Sequence, residues 1–183
     1  AITPLMKPSR SSNYAIFMED NVNSAMTLNV NIVISCVTKE KCANQELAVS
    51  NGHKVICSAE KACFHAKIDG DADCQGRFSC CASITGKAKC KAPQACLEAK
   101  IDGGATCDST YSCEKAKIKG LTTCDGICAC EYAHINGIVT CEGQESCRGT
   151  VIDGNTICHG KNACRRARIT GNVCCTSAYI ASN

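Results

Sequence analysis

Residues 107–137 read CDSTYSCEKAKIKGLTTCDGICACEYAHING, which is nearly two copies of one 17-residue unit. Each copy contains two cysteines six residues apart, followed by a phrase of the form Ala-x-Ile-x-Gly. Self-similarity at a short fixed period is typical of solenoids, in which each repeat forms one coil of a continuous stack. A unit this short cannot hold a pair of helices, so the sequence predicts an all-β, single-stranded β-solenoid, or β-helix.

The same cysteine pair recurs along the chain at intervals of 16 or 17 residues, and one earlier pair precedes the series by 21 residues. We expect each pair to close a local disulfide at one corner of its coil, because every coil brings the same two positions together. Eight such bridges form a ladder and replace an aromatic core. The predicted bridges are Cys36–Cys42, Cys57–Cys63, Cys74–Cys80, Cys90–Cys96, Cys107–Cys113, Cys124–Cys130, Cys141–Cys147 and Cys158–Cys164.

Two short stretches in each unit predict the walls of the coil. In the Ala-x-Ile stretch, alternate side chains share one face of a strand, so Ala99 and Ile101 point inward and Lys100 points outward. The glycine that follows turns the chain. A second apolar stretch, such as KVIC at 54–57, precedes each pair and supplies the opposite wall. About eight coils stacked at the spacing of β-strands make a rod roughly 40 Å long.

Composition points to an oxidising compartment. The chain has 20 cysteines in 183 residues and only seven aromatic side chains, with no tryptophan. Disulfides at this density are typical of secreted proteins, so we expect an extracellular location. The 20 basic and 17 acidic residues are spread through the repeats, which argues against nucleic-acid binding. No apolar run is long enough for a membrane span, and a start at Ala1 without a signal sequence predicts a processed mature chain.

The chain divides into an N-terminal extension at 1–35, the cysteine-rich solenoid at 36–175 and a tail at 176–183. The extension contains a stretch of alternating apolar residues that predicts one long strand. This strand either caps the solenoid of its own chain or pairs with a neighbouring subunit by strand addition. Its apolar residues are Met26, Leu28, Val30, Ile32 and Ile34.

Four cysteines stand outside the eight pairs: Cys81, Cys128, Cys174 and Cys175. Cys81 follows Cys80, so alternation turns it outward, and Cys128 occupies a column of mostly polar residues. We therefore expect both thiols to be exposed, and they become candidates for bonds between chains, for internal pairing with the C-terminal segment, or for free thiols. One of Cys174 and Cys175 continues the period of Cys158, and the other is spare.

The sequence predicts neither a catalytic site nor a metal site, and no cofactor. No nucleophile, zincin or phosphate-loop motif occurs, so we expect a protein that is not an enzyme and has no small-molecule substrate. The C-x5-C spacing does not fit the paired C-x2-C of zinc sites. Asp69, Asp71 and Asp73 alternate like the start of a calcium loop, but Cys74 stands where the loop needs glycine.

The C-x5-C-x2-Ala element, as in CHGKNACRRA at 158–167, resembles the disulfide-braced repeat of beetle hyperactive antifreeze proteins, which are short-coil β-solenoids. That resemblance implies a regular Thr-x-Thr face that binds ice. Here threonine precedes the first cysteine only at Thr106, Thr123 and Thr140, which departs from that face. The pattern also looks like the cysteine repeat proteins of marine algae, which implies an extracellular structural setting.

These observations favour a secreted structural protein that self-associates into a fibre, sheath or surface layer by strand addition or end-to-end stacking. Two alternatives stay open. One is an ice-binding protein, and the other is an adhesin-like module that recognises a protein or glycan.

Overall fold

A computed structural model describes residues 33–39, 41–49 and 54–175. These residues contain 17 short strands and no helix, and every strand pairing is parallel. The strands stack into a β-solenoid of about eight coils, so the predicted all-β solenoid is confirmed.

Each coil contributes one strand to each of two sheets. The odd-numbered strands form the nine-stranded sheet, which contains β1 (Val33–Cys36), β3 (Lys54–Cys57), β5 (Asp71–Cys74), β7 (Ala88–Cys90), β9 (Ala105–Cys107), β11 (Thr122–Cys124), β13 (Val139–Cys141), β15 (Thr156–Cys158) and β17 (Val173–Cys175). The even-numbered strands form the eight-stranded sheet, which contains β2 (Glu46–Ala48), β4 (Lys67–Asp69), β6 (Ser83–Ile84), β8 (Lys100–Ile101), β10 (Lys117–Lys119), β12 (His134–Asn136), β14 (Val151–Asp153) and β16 (Arg168–Ile169).

The register between coils keeps each sequence column in line. Cys124 pairs with Cys107 on one side and with Cys141 on the other. Because of this register, identical residues stack directly over one another, and a substitution in one coil is felt mainly by the two coils beside it.

The core is a narrow slot between the two sheets. The eight-stranded sheet supplies one branched aliphatic side chain per coil, and the nine-stranded sheet faces it with smaller residues such as Ala88 and Ala105. Short branched side chains fill such a slot without the large aromatic residues that this chain lacks. The aliphatic column is Leu47, Ile68, Ile84, Ile101, Ile118, Ile135 and Ile152, all buried, and the half-buried Ile169.

The alanine that begins each Ala-x-Ile stretch packs into the same slot, and Ala99 is 1% exposed. We expect Ala99→Leu to overpack the coil and to destabilise the protein by roughly 1–3 kcal/mol, because neighbouring coils leave no room for three more carbons. Chemical denaturation with the disulfides intact measures this change. Unaltered stability would mean that the coils can separate locally, and Lys100→Leu on the outer face serves as the control.

All eight local disulfides form, and their Cα atoms lie 5.7–6.1 Å apart. All sixteen cysteines are fully buried. The ladder therefore acts as the third inner wall of the rod. The loop inside each bridge is crowded, since a Cβ placed on Gly143 would lie 2.1 Å from the carbonyl oxygen of Asp125 in the preceding coil.

After seven of the eight disulfides the chain turns into the next strand through a residue with left-handed backbone geometry, such as His65, Glu98 or Tyr132. One coil lacks this residue. Cys74 and Cys90 are 16 residues apart, whereas the other neighbouring first cysteines between Cys57 and Cys175 are 17 apart. Cys81 leads directly to Ala82. Ala82 and Cys81 both have ordinary negative φ, so the turn is one residue shorter there.

Candidate functional site

The two ends of the rod are the first candidate surfaces, because they terminate sheets that could continue. At the N-terminal end the outermost strands are β1 and β2, and at the C-terminal end they are β17 and β16. Core residues become accessible toward the C-terminal end: Val173 is 41% exposed and Ile169 is half-buried, although Ile152 in the coil before is fully buried. Within the described residues, this end therefore presents apolar side chains without a coil over them, whereas the equivalent side chains of the inner coils are covered by the next coil.

The cysteines at the C-terminal end are both exposed. Cys175 pairs in register with Cys158, so it is the one that continues the first-cysteine column. Position 181, where the second cysteine of that coil would fall, is alanine. Cys174 occupies the outward column beside Ile157 and is the spare cysteine.

The predicted assembly strand lies mostly outside the described residues, which include neither Met26, Leu28, Val30 nor Ile32. Its last apolar residue, Ile34, lies in β1 and packs against the core. β1 pairs with β3 of the same chain, so Val33–Ser35 belong to the first coil and not to a separate extension. The tail at 176–183 also lies outside the described residues.

Cys81 is half-buried at the short turn. Its carbonyl accepts a hydrogen bond from the N–H of His65 at 2.9 Å, which places it between the coils of Phe64 and Leu97. Burial, with a further contribution from Glu98, raises the pKa of the Cys81 thiol to about 11. The thiol is therefore protonated at neutral pH and reacts slowly as a nucleophile.

Cys128 does not face solvent, and the prediction of an exposed thiol is wrong. Its side chain is 6% exposed, because Tyr111 and Glu145 occupy the same column in the coils on either side. Burial and the Glu131 carboxylate raise the pKa of this thiol, and the Tyr111 hydroxyl is hydrogen-bonded to it. A bond from Cys128 to another chain would require the side chain to leave this pocket.

A partly buried ion pair lies beside Cys128 and was not anticipated from the sequence. Arg148 donates from Nε and Nη2 to the carboxylate of Glu131, with the Nε contact at 2.8 Å, and from Nη1 to Glu145 at 3.0 Å. The Glu131 side chain is only 4% exposed. The Glu131 hydrogen bond raises the pKa of Arg148 above its usual range, so the guanidinium stays charged. The sequence contains a signal for this pair, since Glu131 and Arg148 have opposite charges and occupy the same column in adjacent coils.

The acidic residues considered for calcium binding have separate partners. Asp69 accepts a hydrogen bond from the Thr85 hydroxyl at 2.8 Å, and Asp71 accepts one from the Lys87 N–H at 2.7 Å. Asp73 pairs with Lys91 at 3.1 Å. These contacts brace adjacent coils.

Cysteine sulfurs cluster in the ladder, and those of Cys90, Cys107 and Cys113 lie within 4.8 Å of one another. All three belong to disulfides. Since the thiolate is the form that binds metals, these sulfurs are not available as ligands.

The threonine column lies on the outer face of the nine-stranded sheet. Thr123 pairs in register with Thr106 and Thr140, so the three hydroxyls stack on adjacent coils. Lys89 and Ile157 occupy the same column on either side, so the hydroxyl array extends over three coils.

Among the described residues, no helix has the length and apolar character needed to cross a bilayer. Comparisons with protein-family models, with curated proteins and with solved structures gave no match. What the structure itself shows is a β-solenoid of about eight coils with a regular disulfide ladder.

Proposed function

We propose that this protein is a secreted structural subunit that stacks head to tail into an extracellular fibre. The eight disulfides are consistent with an oxidising extracellular environment. The observation that carries the proposal is that the two ends of the rod present complementary residues at matching positions of the coil.

The rod has a direction, which supports a head-to-tail arrangement. In the disulfide-closed turns, the N–H of the second cysteine donates to a carbonyl of the following coil, as from Cys96 to Ser112 at 2.7 Å. The N–H just after the first cysteine donates to the preceding coil, as from Asp108 to Cys90 at 3.1 Å. These donors and acceptors recur in the same order in successive parallel coils, so the two ends of the rod differ. An interface between two different surfaces leads to an open filament when the copies do not close into a ring, as in end-to-end stacking along one axis.

The residues at the two ends match in the register that the rod uses throughout. If β2 of one copy continued the sheet beyond β16 of another, Glu46 would lie beside Arg168 and Leu47 would cover Ile169. In the other sheet, β1 would follow β17, and Ile34 would cover Val173. Opposite charges would meet on the outer face, and the half-exposed aliphatic residues would gain the cover that the inner coils have.

Strand addition is the other route to the same kind of fibre. In that case part of residues 1–32 would pair with a neighbouring copy. Deleting residues 1–32 while keeping Val33 onward separates the two routes. Filaments that persist in this variant support stacking of the coil ends, whereas a monomer that keeps its eight disulfides supports a donated strand.

We expect Glu46→Lys to weaken each junction about tenfold or more, because two like charges would then face each other across it. Arg168→Glu should have a similar effect, and the double variant Glu46→Lys/Arg168→Glu should restore assembly. Sedimentation and negative-stain microscopy of non-reduced protein measure filament formation. Glu46 also contacts Lys67 of its own chain at 3.2 Å, on the exposed surface. Thermal unfolding of each variant therefore serves as a control, because it shows whether loss of this contact destabilises the subunit itself. Single variants that assemble like the native protein would contradict contact between these ends.

Ice binding is a second candidate, because Thr106, Thr123 and Thr140 stack in register on one face of the nine-stranded sheet. The array spans three coils, and a lysine and an isoleucine follow at its two ends. We therefore rank ice binding below assembly.

A further inference from the structure

The short turn at Cys81 opens a groove on the side of the rod. In the coils on either side, a left-handed residue fills this position, His65 before the gap and Glu98 after it. With one residue fewer, the chain between Cys80 and Ala82 follows a shorter path. The coils on either side therefore project beyond it. The groove that results has a volume of about 670 Å³, which is in the range of small-molecule sites.

The walls of this groove are apolar and its rim is basic. Phe64, Phe78 and Leu97 line the inside and are each half-buried, and the thiol of Cys81 lies among them. Phe64 and Phe78 are two of the three phenylalanines in the chain. The ammonium group of Lys61 lies 5.8 Å from the centre of the Phe64 ring, which leaves a positive charge at the mouth of the groove.

Charge around the rim favours an anion. Lys61, Lys67 and Lys100 line the groove together with one acidic residue, Glu98. Lys67 also contacts Glu46, and Lys100 lies 3.8 Å from Asp102, but both ammonium groups are well exposed and can approach a ligand. An apolar body held by the phenylalanines with an anionic group at the lysines would satisfy both parts of the groove.

Another coil of the rod shows how an aromatic ring can lie at the position that the short coil lacks. In a later coil, the side chain of Tyr132 starts from the left-handed position and lies against the turn of Gly149, where a Cβ would be 2.6 Å from the ring. A planar ring can therefore cover the turn of the next coil. At the short coil this side chain is missing, which leaves the same place for a ring from outside.

We propose that the groove at Cys81 binds a small carboxylate with an apolar body, an aromatic acid or a fatty acid, with the apolar part between Phe64, Phe78 and Leu97 and the carboxylate at Lys61 and Lys100. This site is independent of the ends of the rod and of filament assembly.

The fluorescent probe anilinonaphthalene sulfonate, which is a ring system with an anionic group, tests the site directly. We expect it to bind the native rod and to be displaced by naphthalene-2-carboxylate and by dodecanoate, whose relative strengths distinguish the aromatic from the acyl ligand. The neutral analogue naphthalene-2-methanol should displace it at least about fivefold more weakly. Equal displacement by the neutral analogue, or no displacement by either acid, overturns the proposal.

Two variants test the location. Insertion of one asparagine between Cys81 and Ala82 restores a 17-residue coil and should abolish binding, because asparagine tolerates the left-handed position and fills the gap. Lys61→Gln/Lys100→Gln keeps the coil length and should weaken carboxylate binding about fivefold while leaving the neutral analogue unchanged. Lys89→Gln, on the opposite sheet, is the matched control. Binding that survives in both test variants places the ligand elsewhere and overturns the proposal.

Cys81 also provides a readout that does not depend on fluorescence. Iodoacetamide labels its thiolate, and a bound carboxylate should slow this labelling at least about fivefold while the exposed Cys174 in the same sample reacts at an unchanged rate. Peptide mapping by mass spectrometry separates the two cysteines. An unchanged rate at Cys81 under saturating naphthalene-2-carboxylate contradicts binding in this groove.

Discussion

Full reduction of the eight disulfides should unfold the rod at room temperature. Each bridge closes a short loop, since its cysteines are six residues apart, and such a loop is worth about 2–3 kcal/mol in the chain-entropy model. Eight of them together exceed the stability of about 5–15 kcal/mol that is typical of a whole domain. The core offers little compensation, because it consists of alanine and short branched side chains. Far-UV circular dichroism with and without a phosphine reductant measures the loss of sheet.

Removal of one bridge at a time separates the contribution of loop closure to the free energy of unfolding from the contribution of the bridge's position in the rod. Cys124→Ala/Cys130→Ala, in the middle of the rod, should cost about 3–5 kcal/mol, because the loop is released and two buried sulfurs leave a cavity between neighbouring coils. Cys36→Ala/Cys42→Ala, in the first described coil, should cost less, since a terminal coil has a described neighbour on one side only. Equal losses at both positions would argue against coil-by-coil stability. A reduced protein that keeps its sheet signal would show that the stacked strands suffice without the ladder.

Replacement of Arg148 by methionine should have the second largest effect, a loss of about 3 kcal/mol. Glu131 would keep its carboxylate in a buried position after its guanidinium partner had gone, and an uncompensated buried charge is costly. The figure is at the lower end of the usual range, because the Arg148 side chain is 32% exposed and water can enter. Denaturation by guanidinium chloride under non-reducing conditions measures the change.

Two controls make this result specific. Glu131→Gln/Arg148→Met removes both charges and should recover most of the loss, since replacing a whole buried pair is often close to neutral. Arg165→Met changes the arginine in the same column of the next coil and should alter stability by no more than about 0.5 kcal/mol. If Arg148→Met and Arg165→Met are equally mild, the Glu131 contact does not contribute to the fold.

The architecture was predictable because every level of the sequence repeats with the same period. Sixteen cysteines, the isoleucine column and the turn glycines all indicate one coil, and parallel stacking places each column in register. The inward position of Ala99 and the outward position of Lys100 follow from the two-residue alternation of a strand. At these positions the backbone alone decides which way a side chain points.

The surface details were less predictable, because they depend on residues in neighbouring coils. Cys128 is in a column of polar residues, but Tyr111, Glu145 and the ion pair of Glu131 cover it. Alternation predicts an outward Cys81, but it is half-buried, as are Phe64 and Leu97 in the same column of the neighbouring coils. In both cases the deciding contacts run along the rod axis, between residues about 17 positions apart, and a strand-by-strand interpretation does not include them.

The position of the bridges also determines how the rod responds to mechanical load. Each of the eight disulfides connects two residues of the same coil, so adjacent coils are joined covalently only by the main chain. Sideways compression acts against covalent struts, whereas a pull along the axis acts on rows of backbone hydrogen bonds. Stretching would therefore peel coils from an end one at a time, and each released coil would keep its loop closed. Such a rod resists crushing more strongly than it resists stretching, and it retains the means to wind up again when the tension ends.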